Sequence, residues 1–133
     1  MNLFKKLFQI LINGSINREG SFINSWSIHF ALEYFKKKSY IPNYIFTSQT
    51  DVIFTEANSL QALKKKFSIN KKLIAAGFRG QKNLSKKYDI IHSLGCMWDY
   101  QKFLNLKLNL YPDFPDYDVS DLAIVTSVEK GFE

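Results

Sequence analysis

The residues with the most chemical potential lie in one short stretch, where His92, Cys96 and Asp99 fall close together and His29 is available from elsewhere. A Cys nucleophile needs a base within hydrogen-bond reach and a carboxylate to orient that base. Neighbours in sequence supply this only if the backbone presents them together. The run from Tyr88 to Ser93 reads as a strand that Gly95 breaks, so His92 and Cys96 need not meet. A lone Cys among Leu94, Met97 and Trp98 has the surroundings of a small core residue. A small enzyme using His92 and Cys96 is therefore the last of three functional readings, and no residue is assigned a catalytic role.

Other chemistries find less. Asp113, Asp116, Asp118 and Asp121 supply the carboxylates a Ca²⁺ loop needs, but the alternating acids, Gly and late Glu of such a loop are missing, and two prolines restrict the chain. Solvated acids or lysine partners fit better. A single cysteine and two distant histidines offer no zinc set, so neither metal nor cofactor is expected. Gly77, Phe78, Arg79, Gly80, Gln81 and Lys82 invite an anion nest, yet the spacing is neither a P-loop nor a dinucleotide fingerprint, and a tight Gly turn explains it. Phe78, Arg79, Lys82, Lys86, Lys87 and Tyr88 form a nucleic-acid patch if they share a face. That is the second functional reading.

The elements that must position these residues follow from periodicity. Leu3, Phe4, Leu7, Phe8 and Leu11 predict a short amphipathic helix stopped at Asn13-Gly14, either packed on the core or facing a membrane surface or partner. Residues 21 to 38 carry both periods: Phe22, Trp26, Ile28 and Phe30 alternate, while Ile28, Ala31, Leu32 and Phe35 repeat helically. The helix is preferred, with Ser25 as its cap and Lys36 to Lys38 at its negative end. Tyr44 to Thr47 and Val52 to Thr55 predict a hairpin. Asn58 or Ser59 caps a helix from Leu60 to Phe67, striped by Leu60, Leu63 and Phe67. Leu73 to Phe78 and Tyr88 to Ser93 predict strands. Leu104, Leu106, Leu108 and Leu110 alternate with polar residues and predict a half-buried strand, and Leu122 to Val128 a more deeply buried one. The expectation is one α+β domain over residues 1–133, a mainly antiparallel sheet with two or three packed helices.

Composition narrows the partner. The chain has 133 residues, 46% hydrophobic and 23% charged, as in a folded domain, and a net charge of +6. The base is lysine, with only Arg18 and Arg79 able to make bidentate contacts, so the high pI is a weak sign of nucleic-acid reading and fits a biased genome composition equally well. The apolar run Leu7 to Ile12 is too short for a secretory signal, and nothing approaches the roughly 18 apolar residues of a membrane span. With one cysteine, a reducing cytoplasm is the expected location.

Charge is also unevenly distributed. Residues 1–110 carry 17 Lys or Arg against 6 acids, and residues 111–133 carry Lys130 alone against 6 acids. The reversal falls on the segment Tyr111, Asp113, Phe114, Asp116, Tyr117, Asp118 and Asp121. Its aromatics suit hot-spot contacts and its aspartates suit steering toward a basic partner. A small, motif-poor chain of this character resembles the immunity proteins of bacterial polymorphic toxin systems, including contact-dependent growth inhibition. The resemblance implies a non-enzymatic protein that binds and neutralises a cognate toxin, often a nuclease domain, with the acidic loop or the lysine face as its interface.

Overall fold

The computed structural model describes residues 16–48, 54–79, 91–113 and 116–133, and for residues 16–20, 78–79 and 91–94 the backbone alone. The elements are α1 (Ile16–Lys37), β1 (Tyr44–Thr47), α2 (Ser59–Ile69), β2 (Ala75–Arg79), β3 (Ile91–Asp99), α3 (Tyr100–Asn105) and α4 (Asp121–Glu129). The strands form one antiparallel sheet in the order β1-β3-β2. The α+β architecture expected from the sequence is what forms, with four helices among the described residues rather than two or three.

The sheet is filled on both faces because its strands alternate. Ile45 and Ala75 both stand opposite Trp98, so one face presents these three with Cys96. They share a cluster with Ile74, Tyr100, Phe103, Leu108, Leu110, Val119 and the α4 residues Ala123, Ile124 and Val125; Ile28, Leu32 and Phe35 of α1 pack against it. Phe46 and Ala76 stand opposite Met97 on the other face, which α2 covers with Phe67 and Leu63. One layer thus holds α1, α3 and α4, and the opposite layer holds α2.

Two predicted strands take other forms, and a third lies partly outside the described residues. β1 pairs with β3; of the predicted hairpin partner, Phe54 and Thr55 belong to no strand, and Val52 and Ile53 lie outside the described residues. The leucine alternation from Leu104 to Leu110 spans the end of a helix and an extended tail. α3 is capped at its start by Asp99, whose side chain accepts from Lys102 N at 3.1 Å, and the chain leaves it through Leu106 and Lys107, the latter with φ of 52°. Leu108 N donates to Phe103 O and Lys107 N to Leu104 O, the two bonds of a Schellman motif. Leu104 is consequently exposed, and only Leu108 and Leu110 are buried.

The last predicted strand, Leu122 to Val128, is the helix α4. The run Leu122 to Val125 is apolar on successive positions because most of α4 is buried, and a short run of that kind shows no decisive period. Gly95 does not end β3. The strand runs through it at φ of 81° as an irregularity, β3 advancing from Ile91 to Cys96 while β2 retreats from Arg79 to Gly77.

Ser25 is not a helix cap. α1 starts nine residues earlier, and Ser25 is buried in its middle, with Oγ 2.9 Å from the carbonyls of both Ser21 and Leu110. The helix from Leu3 to Leu11 and most of the basic patch from Gly80 to Tyr88 lie outside the described residues.

Candidate functional site

The acidic segment is held at its base by the backbone of one buried residue. Leu110 N donates to His29 Nε2 at 3.1 Å, and Leu110 O accepts from Ser25 Oγ at 2.9 Å and, at longer range, from Ser120 N at 3.4 Å. Ser25 and His29 are four residues apart on α1, so one helical face supplies both partners. Tyr111 then lies flat on the His29 ring, centroids 4.2 Å apart and planes within 6°. Because Nε2 accepts, the imidazole is neutral, and burial holds its pKa below the usual 6.5 against a smaller opposing pull from Glu33. Burial likewise pushes the Tyr111 phenol up.

Beyond this anchor the chain makes a tight turn. Asp113 N donates to Tyr117 O at 2.9 Å, Tyr117 N to Asp113 O at 3.0 Å, and Asp116 N to Asp113 O at 3.2 Å. Asp113 and Asp116 are exposed, while Tyr117 packs against the main core cluster. Phe114 lies outside the described residues. Asp118 and Asp121 are turned to structural use: Asp118 Oδ1 accepts from Val119 N at 2.7 Å, and Asp121 Oδ2 accepts from Asp118 N at 3.1 Å. Asp121 is buried in the first turn of α4, where a carboxylate complements the helix dipole. Of the seven residues singled out in sequence, Asp113 and Asp116 therefore carry the outward charge, and Tyr111, Tyr117, Asp118 and Asp121 brace it. The segment joins the tail of α3 to α4, so helices rather than two strands present it.

The enzyme-like group does not assemble. Cys96 is fully buried on the inner face of the sheet, and burial pushes its thiol up, away from the reactive thiolate. Asp99 is committed to capping α3 and to Lys102, whose Nζ sits 3.2 Å away and also donates to the carbonyls of Lys71 and Leu73. His29 is committed to Leu110, and the His92 side chain lies outside the description. Among the described residues no group of three or more His, Cys, Asp or Glu is placed to hold a metal, and no helix is long and apolar enough to cross a membrane.

A second surface went unread in the sequence. Ile23, Trp26, Phe30 and Tyr34 line the outer face of α1, opposite Ser25, Ile28, Leu32 and Phe35, and all four are exposed. Beside them lies an open cleft of about 470 Å³ between α1 and β1, lined by residues that include Ser27, Ala31, Phe35, Tyr44 and Phe46. The signal was present as the mixed periodicity of residues 21 to 38, because a helix that is apolar on two faces repeats in neither pattern cleanly. Comparison with protein families, with curated proteins and with solved structures finds no match to this chain.

Proposed function

We propose that this chain is a non-enzymatic protein-binding module that meets a basic partner through the acidic turn at residues 113–118. Within that class we assign it as an immunity protein, neutralising a cognate bacterial toxin domain in the cytoplasm. The observation that carries the reading is the pairing of two outward carboxylates, Asp113 and Asp116, with a base pinned through Leu110, His29 and Ser25. Main-chain bonds that join Asp113 to Asp116 and Tyr117 limit the conformational freedom that the two carboxylates lose on association, so their charge contacts are retained in the net affinity. The buried thiol and the committed Asp99 argue in the same direction, since they leave the one cysteine without solvent access or an orienting acid.

An acidic turn on a chain of net charge +6 is suited to a local cationic surface such as the groove of a nuclease. The test is binding to the protein encoded beside this one in its source genome. The double substitution Asp113→Lys and Asp116→Lys should weaken capture by at least about tenfold, mainly through a slower association rate, with an unchanged thermal melt. Unchanged binding together with an unchanged melt would remove the turn from the interface.

A further inference from the structure

We infer that the outer edge of β1, together with the cleft between β1 and α1, is a peptide-binding groove. Its occupant is an extended segment of a partner protein, apolar at alternate positions and acidic toward its carboxyl end, which adds to the sheet as a strand antiparallel to β1. The inference does not rest on the acidic turn, which lies on a different connection of the chain.

The sheet has two edge strands, and they differ in how they are protected. β2 is interrupted by the irregularity between Gly77 and Arg79, and the chain at its start is tied to the carboxyl terminus by Ile74 N donating to Glu133 O and Glu133 N to Lys72 O. Breaks and covering segments of this kind keep an edge from pairing with another chain. Among the described residues β1 has neither. Tyr44, Ile45, Phe46 and Thr47 are aromatic or β-branched, with no charge or proline among them, and no described strand lies beyond them. Phe54 meets Phe46 ring to ring at 5.5 Å, but Phe46 points toward α2, so that contact lies on the face away from the cleft.

The register shows which main-chain groups are on offer. Tyr100 N donates to Asn43 O at 3.1 Å, so residues 43 and 100 form a hydrogen-bonded pair of the antiparallel ladder. Such pairs alternate along a strand. Ile45 and Thr47 therefore exchange bonds with Trp98 and Cys96, and the N–H and C=O groups of Tyr44 and Phe46 point to the outer edge. They present two donors and two acceptors to an incoming strand.

Strand addition draws affinity from main-chain bonds and specificity from pockets for alternate side chains. The cleft supplies the pockets. Every residue from Tyr44 to Ser48 lines it, so it runs along the edge rather than over one face. Opposite them α1 presents Ser27 and Ala31, whose small, exposed side chains leave room for about 470 Å³. A residue added opposite Ile45 or Thr47 points to the α1 side, and one added opposite Tyr44 or Phe46 points to the α2 side. Every second side chain of the new strand thus enters the cleft and is apolar.

Charge sets the direction. Lys36, Lys37 and Lys38 are exposed in the turn between Phe35 and Tyr40, which both line the cleft, and Pro42 leads from there into β1. Glu33, 3.8 Å from Lys36, offsets only one of the three charges. The lysines mark the end at which β1 begins, where an antiparallel strand finishes, so acidic residues at its carboxyl end meet them.

The test titrates the octapeptide Thr-Val-Thr-Val-Thr-Val-Asp-Asp, blocked at both ends, into the full isotope-labelled chain. It should bind with a dissociation constant of about 100 µM or below, and the amides of Tyr44 and Phe46 should gain at least about tenfold protection from hydrogen exchange. With its valines in the cleft, the threonine amides face β1. N-methylation of the threonines should therefore abolish binding, while N-methylation of the valines should leave it within about threefold. Moving both aspartates to the amino end should weaken it at least about fivefold. Ala31→Trp fills the cleft and should abolish binding with an unchanged melt; the exchange and methylation results decide the matter if that variant misfolds. No binding at about 1 mM, binding that leaves Tyr44 and Phe46 unprotected, equal sensitivity to the two methylation patterns, or indifference to the place of the aspartates would each overturn the inference.

Discussion

Leu110 is held through its backbone, and the side chains that hold it come from a helix more than eighty positions earlier in the chain. Removing the imidazole leaves a buried N–H unpaired, so His29→Ala should lower unfolding free energy by about 1–3 kcal/mol. The same bond has a pH signature. The folded state depresses the His29 pKa below 6.5, so between the folded and unfolded values the unfolded chain binds more protons. The His29 contribution is therefore complete above pH 6.5 and is lost as pH falls through the folded value. Denaturant midpoints at about pH 7.5 and about pH 5.5 should show the wild type losing more stability on acidification than His29→Asn. An equal loss in both would detach the effect from His29. That His29 is a satisfied structural residue agrees with its lack of a helix-spaced ligand partner. Its bond to Leu110 was not legible, because a pairing across so long a stretch leaves no local period.

Elements were legible where one face alone is apolar. α2 shows it, since Leu63 and Phe67 turn inward and Lys64 to Lys66 turn out, although Leu60, expected in the same stripe, is exposed. The alternation from Leu104 to Leu110 misled because period two and a helix end overlap: Leu108 and Leu110 do alternate inward, but Leu104 belongs to α3 and faces out. The discriminating signal was Asp99, a capping residue five positions before the predicted strand and directly before the helix that forms. α4 had a weaker sign in Asp121, an acid in its first turn, while Ser120 before it makes no side-chain capping bond. Lys107 ends α3 in the left-handed region, which costs a residue with a Cβ about 1–2 kcal/mol. Lys107→Gly relieves that strain and loses part of the gain to a freer unfolded chain, so a net stabilisation of about 0.5–1 kcal/mol is expected by denaturant titration. Lys107→Val should move the midpoint the other way. If glycine lowers stability, the αL end is not the strained point described.

At the scale of the molecule, β3 joins everything. It is paired on both edges, and its alternating residues feed both cores, Trp98 and Cys96 toward α1, α3 and α4, Met97 toward α2. The carboxy-terminal residues belong to the same unit, because Glu133 N donates to Lys72 O and Ile74 N to Glu133 O, at 3.1 and 2.8 Å. Unfolding should accordingly be one cooperative transition. In a Trp26→Phe background the emission of buried Trp98 and the far-UV signal should give superimposable denaturation curves. Separated curves would divide the two cores into independent units. The α+β class and the charge reversal could be read in advance, but which parts of the acidic segment face water depended on long-range packing. That packing has a bearing on how such a protein changes over generations. The anchor at Leu110 uses main-chain atoms and the turn closes on itself through main-chain bonds, so positions 113 and 116 are free to drift in identity without refolding the body. On the proposed reading of the turn as an interface, the same scaffold is open to retargeting, and a library randomised at those two positions would sample new specificities at nearly constant stability.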